Sequence, residues 1–397
     1  MRNQSVVKKE NMPVNHDGKR KLNIAMIGHK RIPSREGGIE IVVEELSARL
    51  VASGHKVTVY SRRGHHVSGK EFDTQNNKEQ LKLYKGIRIV SVPTIEKKGL
   101  AAVTSSFFGT LKAIFGHYNC IHYHAEGPSV MLWLPHVLGI RTVATIHGLD
   151  WQRTKWGGFA TKYLKFGEKI AAKYADEVIV LSKNVQQYFK DVYDRETVFI
   201  SNGIDKPLIR YPDIIKERWN LEKDEYILFL GRIVPEKGIQ YLIDAFKYVN
   251  TKKKLVIAGG ASDTDRFMNE IKDKAKIDKR IVFTGFVQEQ TLEELYSNAY
   301  MYVLPSDLEG MPISLLEAMS YGNCCLTSDI PECAEVVEGQ AVLFKKSDTE
   351  DLKRMLQKMF DNESLVAWYK STASKFITEK YKWETVVDRI IELYGGK

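Results

Sequence analysis

Short apolar runs punctuate this 397-residue chain, each closed by a polar or glycine-bearing loop. In the first half they fall at 23–28, 56–60, 87–92, 120–124, 141–146, 177–181 and 198–200. In the second half they fall at 226–230, 255–258, 281–284, 301–304, 324–327 and 341–344. Continuous apolar runs, rather than alternating ones, mark strands covered on both faces, as in parallel sheets flanked by helices. Helical spacing appears between them: Ile41, Val42, Leu46 and Leu50 lead to Gly54, and Val386, Val387, Ile390 and Ile391 recur near the end. The pattern predicts an α/β protein of two Rossmann-like halves, 21–205 and 206–380. A last helix within 381–397 is expected to pack back across the cleft onto the first half. Residues 1–20, polar and aperiodic, read as a disordered tail. The charged stretch Lys206 to Glu225, with Pro207 and Pro212, reads as the start of the second unit and its linker.

One stretch carries the most chemistry, from Pro305 to Met319. Pro305 and Gly310 force a loop after the 301–304 run. Pro312 suits the first turn of a helix running to about Tyr321, with Gly322 as its stop. A helix start at a strand end gathers unpaired N–H groups and the positive end of the helix dipole, which makes an anion site. Glu309 lies in the loop beside it and Glu317 in the second helical turn. Carboxylates accept paired hydrogen bonds from diols, so acids beside an anion site suit a ligand with phosphates at one end and hydroxyls at the other. A nucleotide sugar has that form. An ordinary strand–loop–helix unit with solvent-facing glutamates fits the same residues.

Other loops at strand ends add candidates. The loop from His29 ends in Gly37-Gly38-Ile39-Glu40, where paired glycines let backbone approach a phosphate or sugar. It is not G-x-G-x-x-G, so no dinucleotide cofactor is implied. Arg232 and Lys237 stand in the first loop of the second half, Arg suited to two phosphate oxygens and Lys to a point charge. His122, His124 and His147 close two strands; with no carboxylate–His cluster at ligand spacing they predict hydrogen bonding rather than metal. Asp263-Thr264-Asp265 opens a charged helix and reads as a cap. Lys162, Lys165, Lys169 and Lys173 share one helical face, with Trp151, Trp156, Phe159 and Tyr163 before or on it. That face is either solvated or a surface for an anionic membrane or acceptor. The apolar helix from Leu100 to about Phe115, carrying Phe107, Phe108 and Phe115, is expected in the core, with lipid docking as the alternative.

Charge sharpens this picture. The net charge is +9, yet residues 1–200 hold 31 Lys and Arg against 18 Asp and Glu, and the remainder 28 against 32. A basic first half suggests an anionic surface or acceptor. No helix-turn-helix, RNP or zinc-knuckle pattern supports a nucleic acid partner. Cys120, Cys324, Cys325 and Cys333 form no C-x-x-C pair and read as buried apolar residues in a reducing cytoplasm. No signal-peptide core and no run of about 20 apolar residues appears, so a cytoplasmic protein is expected, peripheral at most on the inner face of the plasma membrane.

Over roughly residues 22–397 these motifs resemble the GT-B glycosyltransferases, and more closely glycosyltransferase family 4, whose members are retaining. The family's E-x7-E is matched by Glu309 and Glu317, its phosphate-binding cations by Arg232 and Lys237, and its glycine loop by Gly37-Gly38-Ile39-Glu40. Its cleft histidine is matched by His147 and its interdomain N-G-[VI]-D by Asn202 to Asp205. The opening Ile27 to Pro33 resembles bacterial members that build capsule, exopolysaccharide or rhamnose-containing chains.

The resemblance implies transfer of a hexosyl unit from a nucleotide-diphosphate sugar to a glycan or lipid-linked acceptor, with no metal and no cofactor. It assigns the diphosphate to Arg232 and Lys237, the sugar hydroxyls to Glu309 and the ribose to Glu317. It assigns the sugar or its oxocarbenium-like state to His147, and entry of acceptor and phosphate to Gly37 and Gly38. Gly310, Met311, Pro312 and Ile313 at the helix start, with Asn202, complete the substrate site. A nucleotide-sugar epimerase and a non-catalytic nucleotide-sugar-binding protein are the alternatives.

Overall fold

The computed structural model describes residues 21–63, 81–97, 99–153, 157–261 and 265–395. The tail at 1–20, Trp156 and the start of the Asp263 triplet lie outside them. The first sheet comprises β1 (Asn23–Ile27), β2 (Lys56–Arg62), β3 (Leu83–Tyr84), β4 (Ile87–Val92), β5 (Cys120–His124), β6 (Arg141–Ile146), β7 (Glu177–Val180) and β8 (Val198–Phe199). Its order is β3-β4-β2-β1-β5-β6-β7-β8. The two-residue β3 runs antiparallel to β4, and the other pairings are parallel. The second sheet comprises β9 (Tyr226–Leu230), β10 (Lys254–Ala258), β11 (Ile281–Gly285), β12 (Met301–Leu304), β13 (Cys324–Ser328) and β14 (Val342–Phe344), in the order β11-β10-β9-β12-β13-β14.

Both sheets are doubly wound. The order reverses between β1 and β5 in one and between β9 and β12 in the other. Loops leaving the carboxyl ends of strands at such reversals frame a crevice. The four loops in question are 28–37, 125 onward, 231–238 and 305–312; they carry Gly37, Arg232, Lys237, Glu309 and Gly310 to Pro312, while His147 follows β6 and Asn202 follows β8. Both faces of each sheet are covered: Ile24 and Met26 lie in one core and Ala25 and Ile27 in the other, and Ile227 and Phe229 are likewise opposed to Leu228, which is why these strands read as unbroken apolar runs.

The chain passes between the halves twice, and the two passages touch. Ile204 N–H donates to the Tyr381 carbonyl at 2.8 Å, and Ile204 bridges to Lys382. The helix Trp383–Gly395 then packs on the first sheet, burying Trp383, Val386, Val387, Ile390 and Tyr394 against Val42, Val43, Leu46 and Val143. Arg49 stacks over the Trp383 ring at 4.7 Å and pairs with Asp205 at 2.5 Å, joining both passages to the first domain.

Three expectations need correction. The stretch 206–225 is not a plain linker: it holds a helix, Ile214–Trp219, and plants Ile215 and Leu221 in the second core. Pro312 sits at the N-cap, one position before the helix Ile313–Ser320. The helix Leu100–Ile114 is not a phenylalanine-lined core helix. It buries Ala101, Ser105, Ser106, Gly109, Thr110 and Ala113 and leaves Phe107, Phe108 and Phe115 exposed. Small residues let the helix lie close on β1 and β2, where a Cβ on Gly109 would already stand 3.5 Å from Tyr60 and 3.7 Å from Ile27, so the larger rings are turned outward.

Candidate active site

Two loops of the second domain are locked together first. After β9 the chain makes a single tight turn at Pro235–Lys237, and Gly238 follows at φ +67°. A Cβ on Gly238 would stand 1.9 Å from the Pro305 carbonyl, so only glycine lets the turn lie against the end of β12. Asp307 N–H donates to the Glu236 carbonyl at 2.9 Å. Asp307 is itself held by Tyr241 at 3.1 Å and Ser347 at 2.7 Å.

This packing delivers Lys237 to Glu309. Lys237 Nζ lies 2.5 Å from Glu309 Oε1, with side-chain exposures of 13% and 9%. Ser306 Oγ donates to the same oxygen at 2.6 Å. Neither carboxylate of the pair singled out from the sequence is a solvent-facing glutamate. Glu317 accepts from Arg35 Nη1 at 3.1 Å on one oxygen and from Tyr296 OH at 3.1 Å on the other. Burial raises the Glu317 carboxyl above its ordinary range, while Arg35 pulls it down. Arg35 belongs to the glycine loop of the first domain, so the contact spans the cleft. Next to it Gly38 meets Ile313 of the helix start, a Cβ there standing 3.1 Å from Ile313 Cδ1. Gly37 lies against Glu40, whose Oε1 accepts from Lys30 N–H at 2.9 Å.

The helix Ile313–Ser320 begins without a side-chain cap, its first residue lying against Gly38 of the first domain. Arg232 stands half-buried in the adjoining loop. Asn202 reaches the same place from the interdomain crossing: its N–H meets Met311 Sδ at 3.1 Å and its side-chain amide the Met311 carbonyl at 3.5 Å. The structure therefore gathers Gly37, Gly38, Asn202, Lys237, Glu309, Gly310, Met311, Pro312, Ile313 and Glu317 around one cleft.

His147 closes the first-domain side. Its Nε2 shares a hydrogen with His124 Nδ1 at 3.1 Å. His124 stacks on His122 at 4.2 Å between centroids, and His122 bonds Tyr394 OH and Thr145 Oγ1, each at 2.7 Å. Burial lowers His147 to about 4 and His122 to about 3, so the row is neutral at pH 7. Among the described residues no group of three or more His, Cys, Asp or Glu side chains stands together as a metal ion would need. All four cysteines are buried and unpaired.

Arg153 was not marked by any sequence motif. It pairs with Asp150 at 2.8 Å, just beyond His147, and the charges of Glu236 and Glu309 act on it from the second domain.

Two facing Rossmann-like domains with a cleft between them are the GT-B architecture. The model described as Glycosyltransferase Family 4 matches residues 36–206, and that described as Glycosyl transferases group 1 matches residues 212–383. The chain belongs to glycosyltransferase family 4. An uncharacterised glycosyltransferase of Methanocaldococcus jannaschii is 24% identical, covering 94% of this chain and 98% of its own. The Escherichia coli UDP-Gal:α-D-GlcNAc-diphosphoundecaprenol α-1,3-galactosyltransferase is 26% identical over 70% of this chain and 75% of its own. Among solved structures, the sucrose-phosphate synthase of Thermosynechococcus elongatus superposes with a TM-score of 0.79 at 21% identity, covering 94% of this chain and 98% of its own.

Proposed function

We propose that this glycosyltransferase moves a hexosyl unit, with retention, from a nucleotide-diphosphate sugar to a glycan or lipid-linked acceptor in bacterial surface polysaccharide synthesis. The observation that carries the reading is the buried Lys237–Glu309 pair, 2.5 Å apart beside an uncapped helix start. Lys237 and Arg232 take the diphosphate, and the helix start shares its charge. Glu309 and His147 hold the sugar, and Glu317 exchanges Arg35 for the ribose. The acceptor oxygen bonds to the anomeric carbon on the face that the diphosphate leaves. The sugar–phosphate bond breaks, and the departing phosphate oxygen takes the acceptor proton. Cations fixed where charge grows lower the barrier, and domain closure excludes water that would hydrolyse the donor. This chemistry calls for no metal. The galactosyltransferase relative, which uses UDP-Gal and a diphosphoundecaprenol-linked sugar, supports the lipid-linked acceptor.

Side chains of the first domain support an acceptor at a membrane surface. Phe107, Phe108 and Trp133 are exposed on its helices and Phe115 just after one, while exposed Phe159 and Phe166 share the helix Gly158–Tyr174 with exposed Lys162, Lys165, Lys169 and Lys173. Aromatic rings and lysines together suit an anionic membrane, each lysine adding about 1 kcal/mol near the surface. No helix among the described residues is long and apolar enough to cross a membrane. Co-sedimentation with phosphatidylglycerol vesicles should weaken as salt rises; binding indifferent to salt would count against this docking.

The decisive experiment is a donor screen. Purified protein, incubated with UDP-, GDP-, ADP- and dTDP-sugars, should slowly release nucleotide from one class. Glu309→Ala should abolish transfer while largely sparing nucleotide binding. Equal loss of both would favour a binding protein, and an isomerised donor formed without acceptor would favour an epimerase.

A further inference from the structure

The loop after β6 holds a cation that the reading above leaves unused. Asp150–Gln152 form one tight turn and Arg153 follows it. Arg153 Nε points at Asp150 Oδ1, 2.8 Å away. The Asp150 N–H in turn donates to Glu126 Oε1 at 2.9 Å. Glu126 is fully buried, and its short helix is wedged against the helix Gly158–Tyr174, where a Cβ on Gly167 would stand 2.0 Å from the Glu126 carbonyl. Asp150, which holds Arg153, is thus tied through Glu126 to two helices of the first domain. The same loop touches the second domain, since Gly148 abuts Gly310. Asp150 acts most strongly on the guanidinium, and Glu236 and Glu309 act on it from the opposite wall.

Charge balance gives this cation a task. In the second domain Arg232 and Lys237 are matched in number by Glu236 and Glu309, which leaves the uncapped helix start at Ile313 as the positive end that wall adds for a diphosphate. Asp150 on the first wall would make the cleft anionic if it were not matched by Arg153. A guanidinium carries five N–H donors in a fixed fork, and Asp150 engages the Nε end of it.

We propose that Arg153 binds the diphosphate of the donor, as a third cation beside Arg232 and Lys237, with Asp150 as its positioning residue. The proposal rests on the reading of the cleft as a nucleotide-sugar site. Because Arg153 belongs to the first domain, the diphosphate is held from both walls only when the cleft is closed. Donor binding and closure are therefore linked.

The test is calorimetric titration of wild type, Arg153→Gln and Arg153→Lys with UDP, GDP, ADP and dTDP and with the matching monophosphates. For whichever diphosphate wild type binds, Arg153→Gln should bind at least about tenfold more weakly. The monophosphate should lose less, and Arg153→Lys should fall between. Small-angle scattering should show wild type contracting on addition of the diphosphate, and Arg153→Gln failing to contract. Circular dichroism checks the fold, and Arg153→Lys carries the comparison should Arg153→Gln unfold. Unchanged diphosphate affinity in Arg153→Gln, or equal losses for mono- and diphosphate, overturns the proposal. Absence of nucleotide binding by wild type would instead sink the nucleotide-sugar reading beneath it.

Discussion

Gly148 and Gly310 meet backbone to backbone across the cleft. A Cβ on Gly148, at φ +144°, would stand 3.0 Å from Gly310 Cα, and one on Gly310 would fall 1.6 Å from the His147 carbonyl. Contacts this close require that neither position carry a side chain. Gly310→Ala should therefore hold the domains apart by about an ångström. A misplacement of that size costs on the order of 10²-fold in turnover. Thermal melting should barely move, because the clash lies between the domains rather than within either core. Turnover and melting measured on one preparation check this.

Lys237→Ala should lower turnover by about 10²–10³-fold, the cost of removing one preorganised charge from a developing anion. Glu309 would keep Ser306 as a partner but lose its cation. Since the two side chains bond directly, the double variant Lys237→Ala/Glu309→Gln should lose less than the product of the single losses. A double-mutant cycle on turnover reads this coupling, and strictly multiplicative losses would contradict it.

Acid should destabilise the fold through its buried histidines. Burial holds His29 at about 4, against an ordinary value near 6.5, with Glu40 partly opposing. The unfolded chain therefore binds more protons than the native one between those values, and stability falls as pH drops from about 6.5 towards 4. Between pH 7 and 5 one such group contributes about 2 kcal/mol of the fall. His29→Gln, which keeps a polar group near Ser61, should lose correspondingly less stability over that interval. Urea midpoints at the two pH values measure the difference.

Trp383 anchors the returning helix, at 4% exposure in the first core. Trp383→Ala should cost about 3–5 kcal/mol. The loss should appear in the first domain's transition, followed by hydrogen exchange of β1 and β6, with the second sheet still protected.

The sequence displayed the strands because parallel sheets covered on both faces leave no polar alternation to blur them. What it hid was set by distance or by size. Leu83–Tyr84 is too short to show a period. The small-residue face of Leu100–Ile114 is overshadowed by phenylalanines that point away from the core. Glu309 and Glu317 could be marked by spacing alone, but the partners they have here, Lys237 and Arg35, lie 72 and 282 residues away. Arg153 sits in no pattern, and its relation to Glu309 exists only because two loops of different domains are folded face to face.

The last helix of the chain completes the core of the first domain, which has a consequence for biosynthesis. While the ribosome is still adding the second half, the groove awaiting Trp383, Val386 and Ile390 lies open along Val42 and Leu46. Domains that emerge early generally fold as they emerge. Here the earliest one to emerge is the last to be finished, so a nascent chain stalled before residue 383 would expose a greasy furrow for chaperones to cover.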